Sequence, residues 1–486
     1  MTQGCYDRRK EMKKISGGNV AQSLPLDSSI ATAAGASFAA QRDIAARLER
    51  LPMGGLRTKA RLIVGTATFF DGFDAISIAQ AMPVLVGLWK LHPGDVGLLI
   101  SGGFFGQCVG AFCLPWLAER LGRLRVMTWT VALFGLASLA CGFTWDFNSM
   151  LVARFVQGLG LGGEVSCAAT YINEIARSRG RGRFFLFYEM VFGIGAFIAG
   201  ILGSWVVPAF GWQWIFFIGA LPALLALVLR LTLPESPRWL AQRGRYAEAD
   251  AVVRDMERSA EARVGPLPPP DPASLPEPVA QANNWREVLS PLYRRRTLVI
   301  WAAWFCAFFV SQGVNSWLPT LYRTLLHTDV KTALQYGYIA TGMSLTGNIV
   351  AASVIDWIGR PRYIALALPL GGLPLLILGF MGLQSEHQLL AFASFSYMWT
   401  GSISIVLYLY TPELYPTRMR AMGCGFGATW RNLATSLSPM LIGYVLAGYG
   451  INYVFLMLGT VPFIAMAIML AFGTETKGRV LEEISR

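Results

Sequence analysis

The segment Glu119-Arg-Leu-Gly-Arg123 ends one long apolar run and opens the next, and Asp356-Trp-Ile-Gly-Arg360 does the same 237 residues later. Other landmarks return at nearly this offset, since the exit Pro234-Glu-Ser-Pro-Arg238 has a counterpart in Glu475-Thr-Lys-Gly478. A repeat this long is far beyond the period of a solenoid unit. It indicates two copies of one half, an arrangement that in membrane proteins places a site between the halves.

The composition is that of a membrane protein. The 486 residues are 54% hydrophobic and only 14% charged, with a mean hydropathy of +0.46, unlike a soluble chain of this length. Twelve apolar runs are long enough to cross a bilayer as helices, at 61–88, 94–116, 124–145, 150–175, 184–208, 212–233, 297–321, 333–356, 362–383, 388–411, 421–447 and 451–473. These runs are too long and too uniformly apolar for a membrane β-barrel. The predicted fold class is an all-α membrane protein of twelve transmembrane helices in two pseudo-symmetric six-helix halves.

The net charge of +12 follows from the same topology. Arginine and lysine concentrate in alternate connections, whereas the other connections carry only Lys90, Arg323 and Lys331. Cytoplasmic loops of membrane proteins carry this excess of positive charge. We therefore expect a multi-pass protein of a bacterial inner membrane with both termini in the cytoplasm, and the basicity does not require a nucleic-acid partner.

These patterns divide the chain into five parts. The predicted parts are a cytoplasmic N-terminal arm (1–60), an N-terminal six-helix half (61–233), a cytoplasmic linker (234–296), a C-terminal six-helix half (297–473) and a cytoplasmic tail (474–486). Residues 37–51 have apolar and charged faces at helical spacing, which predicts a cytoplasmic surface helix that leads into the first span. The linker combines a predicted helix at 243–263 with the proline-rich stretch 266–278, which predicts an extended segment.

Charged residues in the middle of the apolar runs indicate a polar path through the bundle. Such residues are costly in a bilayer and normally face a cavity or a partner. They occupy the first, fourth, fifth and eleventh runs: Asp71, Asp74, Arg154, Glu164, Glu189 and Arg431. The third, sixth, ninth and twelfth runs contain none in their central parts, which predicts inner helices around the path and outer helices against lipid.

Several motifs in the same order resemble those of the major facilitator superfamily, over roughly residues 40–480. They are the two repeated basic motifs, Arg154-Phe-Val-Gln-Gly-Leu-Gly-Leu-Gly-Gly-Glu164, Pro234-Glu-Ser-Pro-Arg-Trp-Leu240 and Pro412-Glu-Leu-Tyr-Pro-Thr-Arg418. The chain is similar to sugar porters, and Asp71-Gly-Phe-Asp74 is most similar to the aromatic-acid and metabolite proton symporters. The resemblance implies the major facilitator fold and transport by alternating access. Pro115 and Glu119 depart from the glycine and aspartate usual in the first motif.

The repeated motifs and their acidic counterparts are candidates for gating. The candidate residues are Glu119, Arg120, Gly122, Arg123, Asp356, Gly359, Arg360, Glu174 and Glu413. Their arginines have two explanations: simple anchoring by positive charge, or an inter-helix charge cluster that steadies one state of alternating access. Anchoring does not require the carboxylates of Glu119 and Asp356, which favours the cluster.

Asp71, Asp74 and Arg154 are the candidates for proton coupling. The two aspartates are three residues apart and project from similar sides of one helix. Two neighbouring carboxyl groups at membrane depth resist simultaneous ionisation, and a nearby arginine neutralises one of them. Resemblance to proton-coupled sugar porters implies that Asp74 and Arg154 form a pair, which a proton on Asp74 would release. The alternative is a static structural ion pair.

The second half offers candidates for substrate binding. An offset of 241 residues relates Asp71 to Gln312 and Asp74 to Asn315, so polarity is kept while charge is lost. These amides would contact substrate or form inter-helix hydrogen bonds.

Arg431 suits an anionic substrate, because a guanidinium holds a carboxylate through two parallel hydrogen bonds. Glu189, at a comparable depth in the fifth run, is its alternative partner. Tyr397 is the candidate for stacking on an aromatic ring, among other aromatic residues of the tenth run.

The predicted function is a proton-coupled symporter that imports a small organic acid, aromatic acids being one class. A sugar or polyol porter and a proton-driven exporter are the alternatives, followed by a nutrient sensor that does not transport. No nucleophile–base pair, metal cluster or ATP-binding loop is visible, so we expect no enzyme activity, no cofactor and no metal. The expected partners are a small carboxylate substrate, protons and the lipid bilayer, with the protein as a monomer.

Overall fold

The computed structural model describes residues 28–52, 54–175, 181–271, 285–415 and 419–475. In these ranges, side chains at 28–38, 173, 181–189, 285 and 421 are not described. The described chain is helical, with sixteen α-helices and one 3₁₀ turn at Trp285–Leu289.

The N-terminal half follows a first helix, α1 (Ser28–Arg50). Its membrane helices are α2 (Leu56–Trp89), α3 (Pro93–Leu121), α4 (Arg123–Gly142), α5 (Phe147–Ile175), α6 (Arg181–Phe210) and the broken pair α7 (Gln213–Gly219) and α8 (Pro222–Thr232). Pro222 is the first residue of α8, where its missing N–H costs nothing.

Two short helices and six long ones complete the chain. The linker forms α9 (Pro237–Gln242) and α10 (Tyr246–Val264), and the C-terminal half forms α11 (Arg294–Leu325), α12 (Val330–Ile358), α13 (Arg360–Met381), α14 (Glu386–Glu413), α15 (Arg420–Tyr449) and α16 (Ile451–Phe472). The predicted linker helix is therefore present, displaced by a few residues.

The helices confirm the predicted twelve-span architecture. Ten stretches of the described chain are long and apolar enough to cross a membrane, with α7 and α8 counted as one. The other two crossings, α5 and α15, are 29 and 30 residues long and carry Arg154, Glu164 and Arg431 in their middle parts. Their lower apolarity thus comes from the residues that mark the polar path.

The turns at Gly122 and Gly359 have matching geometry in the two halves. Gly122 has φ 117° and Gly359 has φ 95°, a backbone region that glycine adopts without strain. A Cβ atom at Gly122 would meet the Glu235 carboxylate, and one at Gly359 would meet Glu475. Both carboxylates come from the paired exits of the sequence repeat. We name the two ends of the bundle the Gly122 end, which also holds Gly359, and the His92 end.

Glycines allow the helices of the N-terminal half to pack backbone against backbone. A Cβ atom at Gly158 of α5 would collide with the carbonyl of Gly103 on α3, and one at Gly106 would collide with the carbonyl of Phe155. Small residues permit this close approach between membrane helices. The α3–α5 pair is therefore a tightly packed unit.

The two halves contact each other through α3 with α15, α6 with α12 and α2 with α11. A Cβ atom at Gly97 would meet the carbonyl of Pro439 at 2.6 Å, and Gly200 of α6 lies against Tyr338 of α12. The Phe197 and Tyr338 rings pack edge to face, 6.3 Å apart. These contacts lie toward the His92 end.

Helix α1 packs on α9 and α10, and it contains nearly all of the amphipathic stretch that is predicted to be helical. Ile44 and Leu48 are buried in one cluster with Trp239 and Val253. The apolar face of α1 thus finds a protein partner in the linker. Arg47 adds ion pairs with Asp250 and Glu257 across this contact, at 2.6 and 2.7 Å.

Candidate functional site

A cavity of about 740 Å³ lies between the two halves. Its described lining comes from α2, α3, α5 and α6 on one side and from α11, α12, α14 and α15 on the other. On α12 the lining extends to Ser353, near the Gly122 end, whereas the contact of α3 with α15 closes the His92 end. The volume suits a small organic molecule.

The outer helices were identified correctly. The third, sixth, ninth and twelfth crossings contribute no residue to the described lining of this cavity. The absence of central charges therefore separated lipid-facing helices from cavity helices, as expected from the cost of charge in hydrocarbon.

Asp74, Arg154 and Gln157 form a closed polar cluster beside the cavity. Arg154 Nη1 donates to Asp74 Oδ2 at 3.3 Å and to Gln157 Oε1 at 2.5 Å. Gln157 Nε2 donates to the other oxygen of Asp74. The Asp74 side chain is fully buried and Arg154 is 2% exposed, yet Arg154 contributes to the cavity wall. The predicted pair of Asp74 with Arg154 is present.

Asp71 does not share this cluster, although the sequence spacing placed it beside Asp74. It lines the cavity and is 3% exposed, and Glu164 of α5 interacts with it more strongly than Asp74 does. Glu164 is completely buried. All four oxygens of these two carboxyl groups are without a hydrogen-bond donor in the described structure.

Arg431 faces the cavity from α15. Its Nη1 donates to the Tyr408 hydroxyl at 2.6 Å, and its Nε donates to Asn432 Oδ1 at 3.1 Å. The Phe308 ring lies on the same wall, with its centroid 6.0 Å from Cζ of Arg431. The alternative partner, Glu189, lies outside the described side chains.

Gln312 and Asn315 both line the cavity, as the offset between the halves predicts. The Gln312 amide donates to Ser316 Oγ at 2.7 Å, and the Asn315 carbonyl oxygen accepts from Thr341 at 3.4 Å. Asn315 therefore makes an inter-helix hydrogen bond, whereas the bond of Gln312 lies within α11, and both side chains face the cavity.

The aromatic residues of the tenth run divide between the cavity and the helix packing. Tyr397 and Tyr408 line the cavity. Tyr410 is 1% exposed and donates to the carbonyl of Thr474 at 2.6 Å, away from the described cavity wall. Tyr397 thus remains a candidate for contact with the substrate.

The repeated motifs place an ion pair between helices in each half at the Gly122 end. Arg123 Nε lies 3.2 Å from Glu174 Oε1, and Arg360 lies 3.2 Å from Glu413. Arg360 also pairs with Asp356 at 3.1 Å.

Glu119 and Arg120 take different positions from the arginines that follow them. The backbone carbonyl of Glu119 accepts from Trp239 Nε1 at 2.8 Å and from Arg243 at 2.6 Å. The guanidinium of Arg120 stacks 3.9 Å from the Trp116 ring. The first motif therefore joins the N-terminal half to the linker helices.

Two members of the polar path were not among the predicted site residues. Gln157 follows Arg154 by three residues and so shares its helix face, a signal that sequence spacing could have revealed. Glu164 stood out as a buried charge, but its contact with Asp71 depends on the packing of two helices. The described chain contains no group of three His, Cys, Asp or Glu residues suited to a metal ion.

Comparison with known proteins shows similarity to a family of transporters. The model of the family described as "Sugar (and other) transporter" matches residues 90–486. The niacin transporter NiaP of Acinetobacter baylyi is 32% identical over 91% of this chain and 99% of its own length. A gallate transporter of Pseudomonas putida is 29% identical over 89% of this chain and 95% of its own length.

The fold agrees with that of a solved transporter. A crystal structure of a D-xylose-proton symporter superposes with a TM-score of 0.68 over 88% of this chain and all of that chain, at 18% identity. The 4-hydroxybenzoate transporter PcaK of Acinetobacter baylyi is 25% identical over 82% of this chain and 87% of its own length. The chain therefore belongs to the sugar (and other) transporter family of the major facilitator superfamily, and it is a multi-pass membrane transporter.

Proposed function

We propose that this transporter is a proton-coupled symporter that imports a small aromatic acid by alternating access. The observation that carries the proposal is Arg431, a cation in the cavity wall beside the rings of Phe308 and Tyr408. It offers a carboxylate site and an aromatic surface within one cavity.

The geometry around Arg431 suits carboxylate binding. Tyr408 and Asn432 hold the guanidinium through Nη1 and Nε, which fixes the plane of its donors. A fixed planar guanidinium binds a carboxylate better than a flexible ammonium does. The rings nearby would pack against the aromatic body of the substrate, an arrangement worth about 0.5–1.5 kcal/mol per aromatic pair beyond area burial.

The names of the relatives agree with this chemistry. Niacin, gallate and 4-hydroxybenzoate each carry a carboxylate on an aromatic ring, and these are the compounds named for three similar transporters. We infer that this chain transports a member of the same chemical class.

Proton coupling would use the buried cluster of the N-terminal half. A proton on Asp74 would remove the charge that holds Arg154 and would leave Arg154 to Gln157. Burial makes this pair sensitive to a single proton, because an unpaired charge in a water-poor site is costly. Arg154 lines the cavity, so its release would change the charge distribution at the cavity wall.

The charge asymmetry of the connections supports an orientation of the protein in the membrane. Arginine and lysine favour placing the Gly122 end and both termini in the cytoplasm. The cavity then extends toward the cytoplasm, and the ion pairs of Arg123 and Arg360 steady the gating regions at that end.

The test is uptake by the purified protein in proteoliposomes with an imposed pH gradient. Radiolabelled nicotinate and 4-hydroxybenzoate should accumulate when the exterior is acidic, and a protonophore should stop accumulation. Xylose serves as the matched neutral substrate, because Gln312, Asn315 and Asn348 also give the cavity amides suited to a sugar. Accumulation of xylose without the acids would replace this proposal with a sugar porter.

A further inference from the structure

Asp71 and Glu164 form a carboxyl pair that is separate from the Asp74 cluster. Asp71 is 3% exposed and forms part of the cavity wall, and Glu164 lies behind it with no exposed surface. Each is the other's interacting carboxyl neighbour across the contact of α2 with α5.

The carboxyl groups of Asp71 and Glu164 offer hydrogen-bond acceptors, but no hydrogen-bond donor reaches them in the described part of the chain. Ionised carboxylates only accept hydrogen bonds, and a protonated one donates. None of the four oxygens has a hydrogen-bond partner in the described part of the chain. A single proton would make one carboxyl group the donor to the other and would supply the missing bond. Two adjacent buried carboxylates do not both stay ionised.

Charged groups on the neighbouring helices define the electrostatics of the pair. Besides Glu164, two charged groups interact electrostatically with Asp71. They are Asp74, on the same helix, and Arg431, across the cavity on α15. Cys167 is a further titratable neighbour of Glu164 on α5. Glu189 of α6 lies outside the described side chains. Arg431 is thus a cation on the wall of the same cavity as Asp71, at the position proposed for the substrate.

We propose that Asp71 and Glu164 form a second proton-binding site, and that a carboxylate bound at Arg431 drives its protonation. The inference rests on the proposed function, because it requires an anionic substrate at Arg431. In the empty cavity, the pair holds one proton and its remaining negative charge faces Arg431. A bound carboxylate neutralises Arg431, and Asp71 then accepts a second proton from the cavity. One anion and one proton enter together without a change in net charge.

The first experiment measures nicotinate affinity from about pH 5.5 to 8, where an ordinary carboxylic acid is ionised. If binding takes up one proton, affinity falls up to about tenfold for each unit of rising pH, by the reciprocity of linked binding. Glu164→Gln should flatten this dependence, because its amide donates to Asp71 and holds that carboxylate ionised. Glu164→Asp should restore it. Glu248→Gln, an exposed carboxyl of α10, is the control for a general charge effect.

A wild-type pH dependence in Glu164→Gln would overturn the proposal. If wild-type protein binds none of the acids at any pH, the proposed function fails and infrared spectroscopy then decides on the pair alone. A protonated-carboxyl band at neutral pH, lost in both Glu164→Gln and Asp71→Asn, would support the shared proton. Absence of that band in the wild-type protein would reject it.

Discussion

Replacement of Arg431 by lysine should weaken the binding of an aromatic acid even though the positive charge remains. The guanidinium is held by Tyr408 at 2.6 Å and by Asn432 at 3.1 Å, and a single ammonium group cannot keep both contacts and also bind a carboxylate at two points. The loss of one hydrogen bond to a charged group costs about 1.5–3 kcal/mol. This corresponds to a Kd about 10- to 150-fold higher. Arg431→Ala should cost more, about 2–5 kcal/mol, because it leaves the bound carboxylate unpaired.

Isothermal titration of the purified protein with nicotinate and with its methyl ester separates the two explanations for Arg431. The ester should bind the wild type poorly and lose little more in either variant, since it cannot form the charged contact. Tyr408→Phe is the matched control, because it removes one hydrogen bond that positions the guanidinium and leaves the group that binds the carboxylate in place. Equal losses for acid and ester would show that Arg431 shapes the helix bundle instead, with Glu189 as its alternative partner.

Three further predictions concern coupling, topology and the linker. Asp74→Asn should abolish accumulation driven by a pH gradient while binding or exchange persists, and each pH unit, worth about 1.4 kcal/mol per proton, makes the loss easy to detect; normal uphill uptake would exclude this role. A reporter active only in the cytoplasm should give signal when fused near Gly122 and none near His92, and the reverse would overturn the topology. Burial opposes the lowering of the Glu257 pKa, but hydrogen bonds led by that from Arg47 outweigh it, so the net pKa lies below its ordinary value. Stability from this contact is therefore present above about pH 4.3 and is lost as the pH falls through the lowered pKa; acidification or Glu257→Gln should speed proteolysis of α1, and unchanged cleavage would contradict this.

The helical architecture was predictable because its signals are local. Apolar length alone places the crossings, and glycines such as Gly122 and Gly359 mark turns whose positive φ angles other residues adopt with strain. The offset between the halves also placed Gln312 and Asn315 on the cavity wall. The sequence repeat between the halves therefore predicted which positions line the cavity, even where a carboxylate in one half is replaced by an amide in the other.

The partners of the buried charges were harder to predict. Arg154 and Glu164 are ten residues apart on α5, about 15 Å along the axis, whereas Asp71 and Asp74 are about 4.5 Å apart on α2. The reach of the side chains and the crossing of the helices bring each aspartate to a different partner. Spacing within one helix favoured an aspartate pair, and packing between helices replaced it with two separate sites.

The role of Glu119 was also outside the reach of sequence spacing. Its carboxylate suggested an ion pair, but its backbone carbonyl accepts the contacts from Trp239 and Arg243. Any residue offers that carbonyl, so side-chain chemistry could not identify it. The partner lies on the linker, more than a hundred residues further along the chain.

The glycine contact between α3 and α15 has a kinetic consequence. At Gly97 the two halves meet backbone against backbone, at the carbonyl of Pro439. Interlocked side chains must change rotamer before two surfaces can part, and each such change adds roughness to the energy profile. A surface at which a glycine lies against main chain adds little of this friction, so the halves can separate there in one smooth displacement. Steric resistance to opening at the His92 end would then come from rings such as Phe197 and Tyr338, between α6 and α12, rather than from the contact of α3 with α15.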